Sequence, residues 1–548
     1  AYFATTCWRA AGPAGDDRRV TMDFDPRNTP VRELALAASE TPDLPLVSIE
    51  GAQATYGEAW DAVRETAAGL AHAGVLPGDR VIILTPNRLE AVWAWFGVQA
   101  RGAVDAPISA EAPGAFLQYL AEDLSPKAVI GTWSLLARLA QVVSTPPELA
   151  VLIGEPEGDE PPFGPGVRHL SFAELRALGA NSAQELVLPD ADTVGTIMYS
   201  SGTTGPSKGV MLSQGYYAAL PPAYFELFGL RPGATSYCVQ PLCHVDGRSA
   251  VVTALFLRGQ LFLGTRFSAS RFWAEVENYD VDFFFYVGTM IHLIHKQPPR
   301  PLSPSARPRI GIGSATPASV QRDFEKRFRC TLIEGYGMTE FGLLLAQRAG
   351  DAEPGNLGTP PPWVEVRVVD AADRPVPAGT PGQLLARPKK AHLMTTGYWN
   401  RPDATVEAWR GLWFHTGDVV VQRPDGRFEY VGRLKDSIRR RGENVSAWEV
   451  EQAAVRHERV LEAAAIGVPS DVGDEDVALL VVPAGHGDPD PAELRSFLAR
   501  DLPRYALPRY VEVVASLPKT PSERIAKGIV RERGLSSAAW DAEAAGAA

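Results

Sequence analysis

Short apolar runs that alternate with helix-length amphipathic segments are the feature that most constrains this 548-residue chain. From Tyr56 to Gly74 apolar residues recur at helical spacing, a Pro-Gly-Asp turn follows, and the apolar run Val81–Leu84 precedes a second helical pattern over 89–101. Similar apolar runs recur at 128–131, 149–154, 196–199, 261–264, 283–287 and 310–312. This alternation predicts an α/β domain with largely parallel sheets.

The pattern changes near Gly397. The segments 419–422 and 427–431 flank an Asp-Gly turn, which is typical of a β-hairpin. Beyond Arg433 we predict a small α+β domain of about 110 residues. Its predicted elements are a helix over 447–457, strands over 463–467 and 477–482, a helix over 491–501 and a final strand over 510–515.

The composition of the chain limits the kinds of molecule that it is expected to bind. The chain has 53 Lys and Arg against 65 Asp and Glu, a formal charge of −12, which gives no general attraction to nucleic acid or an anionic membrane. No apolar run reaches the roughly 18 residues that a membrane span needs. Four cysteines are too few for a disulfide framework and show no metal-ligand spacing, so we predict a cytoplasmic protein that binds neither nucleic acid nor membrane.

One loop carries the strongest chemical signal. The segment Met198–Val210, with the sequence MYSSGTTGPSKGV, combines glycines, hydroxyl groups and a lysine directly after a predicted strand. Such a loop can present backbone N–H groups, hydroxyls and an ammonium group to phosphate oxygens, although the spacing is not that of a Walker loop. An ordinary polar turn is the alternative. The candidate phosphate ligands are Ser200, Ser201, Gly202, Thr203, Thr204, Gly205 and Lys208.

Four further segments follow in order: Glu334–Glu340 (EGYGMTE), Gly397–Asn400 (GYWN), Trp413–Asp418 (WFHTGD) and Gly432–Ser446 (GRLKDSIRRRGENVS). Together with the phosphate loop they resemble the signatures of the AMP-forming adenylating superfamily, which includes acyl-CoA and aryl-CoA ligases, adenylation domains and luciferases. The resemblance extends from about residue 34 to residue 530. Segments 241–246 and 439–444 look most like those of carnitine/crotonobetaine and medium-chain acyl-CoA ligases.

The resemblance implies roles for individual residues. Tyr336 would pack on adenine, Thr339 would contact the α-phosphate, and Glu340 would hold Mg²⁺, for which a carboxylate oxygen is a suitable hard ligand. Asp418 would accept hydrogen bonds from the ribose hydroxyls, and Arg433 would contact the nucleotide. Taken alone, these residue types are more typical of core, surface or turn positions. The implied nucleotide site also includes Gly313, Ser314, Ala315, Glu334, Gly335, Gly337 and Lys435.

The resemblance also implies a fold and a reaction. Residues 1–20 are expected to form a flexible arm because they are rich in glycine, alanine and charged residues. The resemblance implies that a large multi-sheet α/β domain (21–433) with a distorted β-barrel portion follows, and that a small mobile α+β domain (434–548) rotates about a hinge near Lys435. An acid oxygen would attack the α-phosphorus of ATP, release pyrophosphate and form an acyl-adenylate, from which a thiol, usually that of coenzyme A, would displace AMP. Similar enzymes are often homodimers.

The acid pocket is expected around His244, 283–289 and 313–316. Phe284, Tyr286 and Val287 suggest an apolar or aromatic substrate. The resemblance places His244 between the nucleotide and the acid, where it would gate the pocket. A structural role for this histidine is the alternative.

The C-terminal motif departs from the family pattern. Where the family has Pro-Lys-Thr, two residues and Gly-Lys, this chain has Glu523-Arg524, and an arginine does not place its charge as a lysine does. Arg524 or Lys527 could still serve acid activation. The alternatives are an ATP-dependent diazotase, which would activate nitrite and convert an amine to a diazo group, and a nucleotide-binding regulator without turnover.

Overall fold

The structure is a computed structural model that describes residues 25, 27–180, 182, 186, 188–200, 207–299, 302, 307, 309–440, 443–470, 475–485, 487–520 and 525–546. The helices are α1 Pro30–Glu40, α2 Tyr56–His72, α3 Leu89–Ala100, α4 Gly114–Leu124, α5 Trp133–Ala140, α6 Phe172–Ala180, α7 Tyr216–Ala219, α8 Pro221–Phe228, α9 Val245–Leu257, α10 Phe272–Asn278, α11 Gly288–His295, α12 Ala318–Phe328, α13 Pro402–Ala408, α14 Ala447–Val455, α15 Pro491–Leu498 and α16 Lys527–Arg533. Single 3₁₀ turns occur at Arg410–Leu412, Leu434–Asp436 and Arg504–Ala506.

The strands belong to two large sheets and three smaller ones. They are β1 Pro45–Ile49, β2 Ala52–Thr55, β3 Arg80–Leu84, β4 Val104–Ile108, β5 Ala128–Thr132, β6 Leu149–Ile153, β7 Arg168–Ser171, β8 Val194–Ser200, β9 Lys208–Ser213, β10 Ser236–Cys238, β11 Leu261–Leu263, β12 Phe283–Val287, β13 Arg309–Ser314, β14 Cys330–Met338, β15 Phe341–Ala346, β16 Val364–Val369, β17 Pro381–Pro388, β18 Gly397–Tyr398, β19 Phe414–Gln422, β20 Phe428–Arg433, β21 Ser437–Arg440, β22 Glu443–Ser446, β23 Val460–Pro469, β24 Glu475–Pro483, β25 Tyr510–Val513 and β26 Trp540–Asp541.

Both large sheets have eight strands and a parallel interior. Their strand orders are β15-β14-β13-β12-β10-β11-β1-β2 and β18-β9-β8-β4-β3-β5-β6-β7, with antiparallel pairs at the edges. β12 is apolar throughout, and β3 is apolar after Arg80, because helices cover both sheet faces. The strands β16, β17, β19 and β20 form a separate antiparallel sheet that contains the predicted Asp-Gly hairpin.

Helix starts follow the local sequence. At the start of α2, Thr55 and Glu58 form a reciprocal capping box: the Thr55 hydroxyl accepts from the Glu58 N–H at 3.2 Å, and the Glu58 carboxylate accepts from the Thr55 N–H at 2.8 Å. At α1, Thr29 accepts from the Arg32 N–H, and Pro30 occupies the first helical position. These caps satisfy N–H groups that a helix leaves unpaired.

The C-terminal region is a small α+β unit with its own core. Its sheet has the order β23-β24-β25-β26, and α14 and α15 pack against it through buried residues such as Val450 and Leu494. The large multi-sheet α/β domain and the smaller α+β domain confirm the predicted fold class. The β21–β22 hairpin, α16 and β26 were missed, so the prediction that 510–515 is the final strand was wrong. None of these elements exceeds seven residues, which is too short for a clear periodic signal.

Candidate active site

The carboxyl ends of adjacent parallel strands converge on the segment 334–340. In register, Tyr286 of β12 pairs with Gly313 of β13, which pairs with Glu334 of β14. Ligands of open α/β sheets bind at this edge, because the strands end there and leave a crevice. The segment makes contact with three parts of the chain: the loop after β13, the middle of β19 and the end of β8.

The first contact is made by Glu334, which is buried and holds the loop that follows β13. Its carboxylate accepts hydrogen bonds from the Ala315 N–H at 2.5 Å, from the Thr316 N–H at 2.9 Å and from the Thr316 hydroxyl. Burial raises the pKa of the Glu334 carboxyl to about 7, against the lowering effect of these donors. In this structure Glu334 therefore shapes the 313–316 loop.

Two backbone features fix the same loop. Ala315 has φ +58°, a left-handed conformation that is uncommon for a residue with a side chain. A side chain at Gly313 would place its Cβ 2.2 Å from the Tyr286 carbonyl oxygen, so only glycine fits there.

The second contact joins Tyr336 to Asp418. The Tyr336 hydroxyl donates to Oδ2 of Asp418 at 2.5 Å, and Nε of Arg433 donates to Oδ1 at 2.9 Å. Burial and the neighbouring Asp418 charge raise the pKa of Tyr336 well above its usual value, so its hydroxyl keeps its proton. The sequence motifs identified all three residues, and the structure brings them together.

A further aromatic residue extends this cluster towards the small domain. The Tyr430 ring centroid lies 6.4 Å from that of Tyr336 and 5.5 Å from that of Trp448 in α14. The Ser446 hydroxyl donates to the Val431 carbonyl at 2.6 Å. Sequence reasoning missed Tyr430 and Trp448, although Tyr430 lies only two positions before Gly432, the first residue of the motif 432–446.

The third contact is made by Glu340. Its Oε1 accepts hydrogen bonds from the Ser200 hydroxyl at 3.4 Å and from the Tyr398 hydroxyl at 3.1 Å. The ammonium group of Lys208 lies 4.9 Å from the centroid of the Tyr398 ring, and Lys208 pairs with Ser200 across β8 and β9. Both described ends of the phosphate loop therefore lie beside Glu340. Five predicted phosphate ligands lie outside the described residues: Ser201, Gly202, Thr203, Thr204 and Gly205.

Thr339 is held through its backbone. Its carbonyl accepts a hydrogen bond at 3.1 Å from the hydroxyl of Tyr216, a buried residue of α7 that the sequence analysis did not identify. At Gly337 a Cβ would lie 1.8 Å from the Gly342 carbonyl oxygen, so the turn between β14 and β15 requires glycine there.

A cavity adjoins this segment. Phe285 and Tyr286 of β12 and Gly313 and Ser314 of β13 contribute to it, and all four lie in the ranges expected for the acid pocket. Gly335 of β14, which was assigned to the nucleotide site, lines it as well. Phe284 was also expected there, but it is not among the lining residues: its ring packs on Phe272 and Trp273 of α10, each with ring centroids at 5.6 Å. The remaining lining residues are Tyr224, Phe228, Gln240, Asp246, Ser249, Ile312 and Leu343.

His244 caps the helix that borders this cavity. It is the N-cap residue of α9, with extended backbone (φ −120°, ψ 157°), and its side chain makes no capping hydrogen bond. The residue that lines the cavity is Asp246, two positions further on.

Of the two candidate C-terminal cations, Lys527 lies among the described residues. Nζ of Lys527 lies 2.8 Å from Oε1 of Glu451 and 3.9 Å from Oδ2 of Asp436, and Arg531 pairs with the same aspartate at 2.7 Å. These contacts keep Lys527 within the small domain and next to the turn at 434–436. Arg524 lies outside the described residues, and so does the side chain of Lys435.

The site suits a magnesium ion held mainly by phosphate. Mg²⁺ is usually bound by one or two carboxylates together with phosphate oxygens and water, and Glu340 offers one carboxylate beside the phosphate loop. Among the described residues no group of three or more His, Cys, Asp or Glu side chains could hold a metal ion by itself. In the same part of the chain, no helix combines the length and apolar character of a membrane span.

The fold is that of a multi-sheet α/β protein whose candidate site lies at the edge of a parallel sheet, beside a cavity lined in part by aromatic residues. The model of the AMP-binding enzyme family matches residues 34–399, and that of the AMP-binding enzyme C-terminal domain matches 449–524. The chain belongs to the AMP-binding enzyme family.

Individual relatives agree with this assignment. The chain is 32% identical over 504 residues to a feruloyl-CoA synthase of Amycolatopsis, covering 90% of this chain and 97% of the relative. It is 27% identical over 489 residues to a crotonobetaine/carnitine–CoA ligase of Salmonella typhi, covering 87% and 92%. The solved anthranilate CoA ligase AuaEII has the same fold, with a TM-score of 0.82, 22% identity and coverage of 93% and 98%. The predicted class, an AMP-forming ligase related to acyl-CoA and aryl-CoA ligases, is confirmed.

Proposed function

We propose that this chain activates a small carboxylic acid with an apolar or aromatic body as its adenylate and transfers the acyl group to coenzyme A. The cavity beside Gly335 is the observation that carries the proposal, because aromatic residues line it and it adjoins the segment that contacts Asp418 and Glu340. The relative named for a feruloyl group supports an aromatic acid.

The residues would divide the first half of the reaction among them. Asp418 would accept from the ribose hydroxyls, since each carboxylate oxygen has a second lone-pair direction besides the one used by Tyr336 or Arg433. Lys208 and the phosphate loop would hold the triphosphate, and Thr339 would contact the α-phosphate. His244 would separate nucleotide and acid. Positioning of the substrates and neutralisation of phosphate charge would supply most of the rate enhancement, as in other phosphoryl chemistry.

Glu340 would hold Mg²⁺ in this scheme. The ion would neutralise charge on the departing pyrophosphate. The hydrogen bonds that Glu340 accepts from Ser200 and Tyr398 support this role, because they fix the carboxylate beside the phosphate loop.

The second half-reaction would use a rotation of the small domain (434–548) about Lys435. The one-turn 3₁₀ segment Leu434–Asp436, which follows β20 directly, supports a hinge at this point. A Lys435→Pro variant should form the adenylate at the wild-type rate and lose thioester formation, because proline fixes one backbone dihedral. Equal loss of both half-reactions would contradict the hinge. We propose further that the protein acts as a cytoplasmic homodimer.

Pyrophosphate exchange tests the proposed function. Purified protein with ATP, Mg²⁺ and a panel of aliphatic and aromatic acids should exchange labelled pyrophosphate into ATP with at least one acid. Added coenzyme A should then give AMP and a thioester in equal amounts. Release of ADP, or no exchange with any acid, would contradict the proposal.

A second candidate function is ATP-dependent diazotisation. The sequence Glu523-Arg524, where the family carries Gly-Lys, favours it, since the cation that assists attack on ATP has changed. AMP release that requires both nitrite and an amine, with no thioester from coenzyme A, would support this candidate over the ligase. Binding of ATP without turnover under every condition would instead indicate a regulator.

A further inference from the structure

One side of the acid cavity depends on a stretch of chain without regular secondary structure. Gln240, Asp246 and Ser249 line the cavity, and they lie between the end of β10 and the beginning of α9 or within α9 itself. Residues 239–244 belong to neither element. Because buried backbone groups need hydrogen-bond partners, the course of this stretch depends on contacts from elsewhere in the chain.

Asn87 holds the stretch from one side. It lies between β3 and α3 and is 4% exposed. Its Oδ1 accepts a hydrogen bond from the Leu242 N–H at 2.9 Å, and its Nδ2 donates to the Gln240 carbonyl at 3.1 Å and to the Gly264 carbonyl at 2.9 Å. One carboxamide therefore joins the stretch after β10 to the residue that follows β11.

Arg248 holds the same stretch from α9. Its Nε donates to the Leu242 carbonyl at 2.8 Å, so buried side chains pair with both backbone polar groups of Leu242. The guanidinium also forms an ion pair with Asp105 at 2.6 Å and donates to the Thr196 hydroxyl at 3.1 Å. It lies 4.4 Å from the centroid of the Trp95 ring. These contacts fix the direction in which Nε points.

Stability alone does not account for the buried ion pair. The side chains of Arg248 and Asp105 are 1% and 0% exposed, so both charges lose their hydration. Apolar residues of similar volume often stabilise a core as well as such a pair does, or better. The pair does supply a donor with a fixed direction, which an apolar residue cannot supply, and that donor is used on Leu242.

A glycine in α9 brings the stretch directly against the helix. A Cβ at Gly247 would lie 2.4 Å from the Pro241 carbonyl oxygen and 2.7 Å from the Gln240 carbonyl oxygen, distances that no side chain allows. The backbone of residues 240–241 therefore packs on the first turn of α9. Close packing together with hydrogen bonds from two sides leaves the stretch one position.

We infer that Asn87 and Arg248 are positioning residues for the acid substrate, and that they set the width of the cavity by fixing Leu242. Neither of them is among the described residues that line the cavity. Each would act through Gln240 and Asp246, the wall residues on either side of Leu242. The inference rests on the proposed function, because it assumes that the cavity is the acid site.

Pyrophosphate exchange with acids of graded size tests the inference. One series is benzoate with its 4-methyl, 4-ethyl and 4-propyl derivatives, and the other is the straight-chain acids from butanoate to octanoate. In the wild-type protein kcat/KM should be highest at one size, because a wall with one position discriminates about tenfold or more between acids that differ by a methylene group.

The variant Asn87→Ala removes all three hydrogen bonds from one side of the stretch. We expect KM for the preferred acid to rise about tenfold and the size preference to become flatter, because buried backbone groups lose their partner. KM for ATP should stay within about twofold of the wild-type value, as for a site without shared contacts. The nucleotide segments have their own contacts, through Glu334 and Asp418.

Arg248 is changed together with its partner, since loss of the arginine alone would leave Asp105 charged and buried. The double variant Asp105→Asn/Arg248→Met removes both charges and keeps an acceptor for the Thr196 hydroxyl, which donates to Oδ1 of Asp105 at 2.8 Å. It should show the same changes as Asn87→Ala. Amide hydrogen exchange should be faster over residues 240–244 in both variants, while the remaining protected segments show that the protein is folded.

Asn356→Ala is the matched control. Asn356 is also 4% exposed, donates to the Glu353 carbonyl at 2.9 Å and accepts from the Gly358 N–H at 2.8 Å. This variant also loses buried hydrogen bonds to the backbone, but it should keep the wild-type size preference and the wild-type KM for the acid.

The outcomes separate the inference from the proposed function. A wild-type size preference in the folded variants, an equal rise in KM for acid and ATP, or a wild-type protein without any size preference would overturn the inference alone. If Asn87→Ala does not fold, the double variant gives the answer. Absence of exchange with every acid would overturn the proposed function and this inference with it.

Discussion

Replacing Asp418 with asparagine tests the nucleotide site most directly. The carboxylate is 2% exposed and is fixed on one oxygen by the Tyr336 hydroxyl and on the other by Arg433. If it also accepts from the ribose hydroxyls, the variant loses a charge-assisted hydrogen bond in a site without competing water. Such a bond contributes about 1.5–3 kcal/mol, so KM for ATP should rise about 10- to 150-fold.

A cycle of protein and ligand changes isolates the ribose contact. Pyrophosphate exchange is measured for the wild-type and Asp418→Asn proteins with ATP, 2′-deoxy-ATP and 3′-deoxy-ATP. The wild-type protein should bind the deoxynucleotides more weakly than ATP, and the variant should discriminate far less, because the partner of the missing hydroxyl is already altered. Asp425→Asn, an exposed change in the turn between β19 and β20, is the control and should behave as wild type. Equal discrimination by wild type and Asp418→Asn would refute the ribose contact.

Three other predictions concern single charged groups. Glu340→Gln should lower the Mg²⁺-dependent exchange rate roughly 100-fold, because an amide is a poorer ligand for the ion; an unchanged Mg²⁺ titration would contradict this role. Lys527→Ala should lower the free energy of unfolding of the small domain by about 3 kcal/mol, since it leaves Glu451, whose side chain is only 12% exposed, without its 2.8 Å partner, whereas Arg524→Ala should spare stability and lower exchange. Both variants would be examined by denaturant unfolding and by pyrophosphate exchange. If Lys527→Ala lowered exchange and spared stability, the catalytic cation would be Lys527 and the prediction would be wrong. The pKa of Glu334, raised to about 7 by burial, means that the folded state binds this proton more tightly than the unfolded state, so stability should fall by about 3 kcal/mol as pH rises from 4.5 to 7. Glu334→Gln should flatten that part of the stability profile, and identical profiles would contradict the shift.

The fold was largely predictable because its signals are local. Buried parallel strands such as β12 need apolar residues at every position, and the amphipathic helices between them have a period that single residues reveal. The elements that escaped prediction, β21, β22, α16 and β26, are too short to show a period. They owe their structure to packing on the small-domain sheet.

The sequence by itself determined the class of chemistry, since the order of motifs from Ser200 to Arg433 specifies nucleotide-binding residue types whatever their exact positions. Only the tertiary structure decided which groups meet. Ser200 and Glu340 are 140 residues apart, and they make contact because the end of β8 and the turn between β14 and β15 lie at the same crevice. Packing against α10 holds the Phe284 ring away from the cavity, and the start of α9 brings Asp246 into its wall. Contacts of this kind depend on how distant elements pack, and no local pattern in the chain encodes that packing.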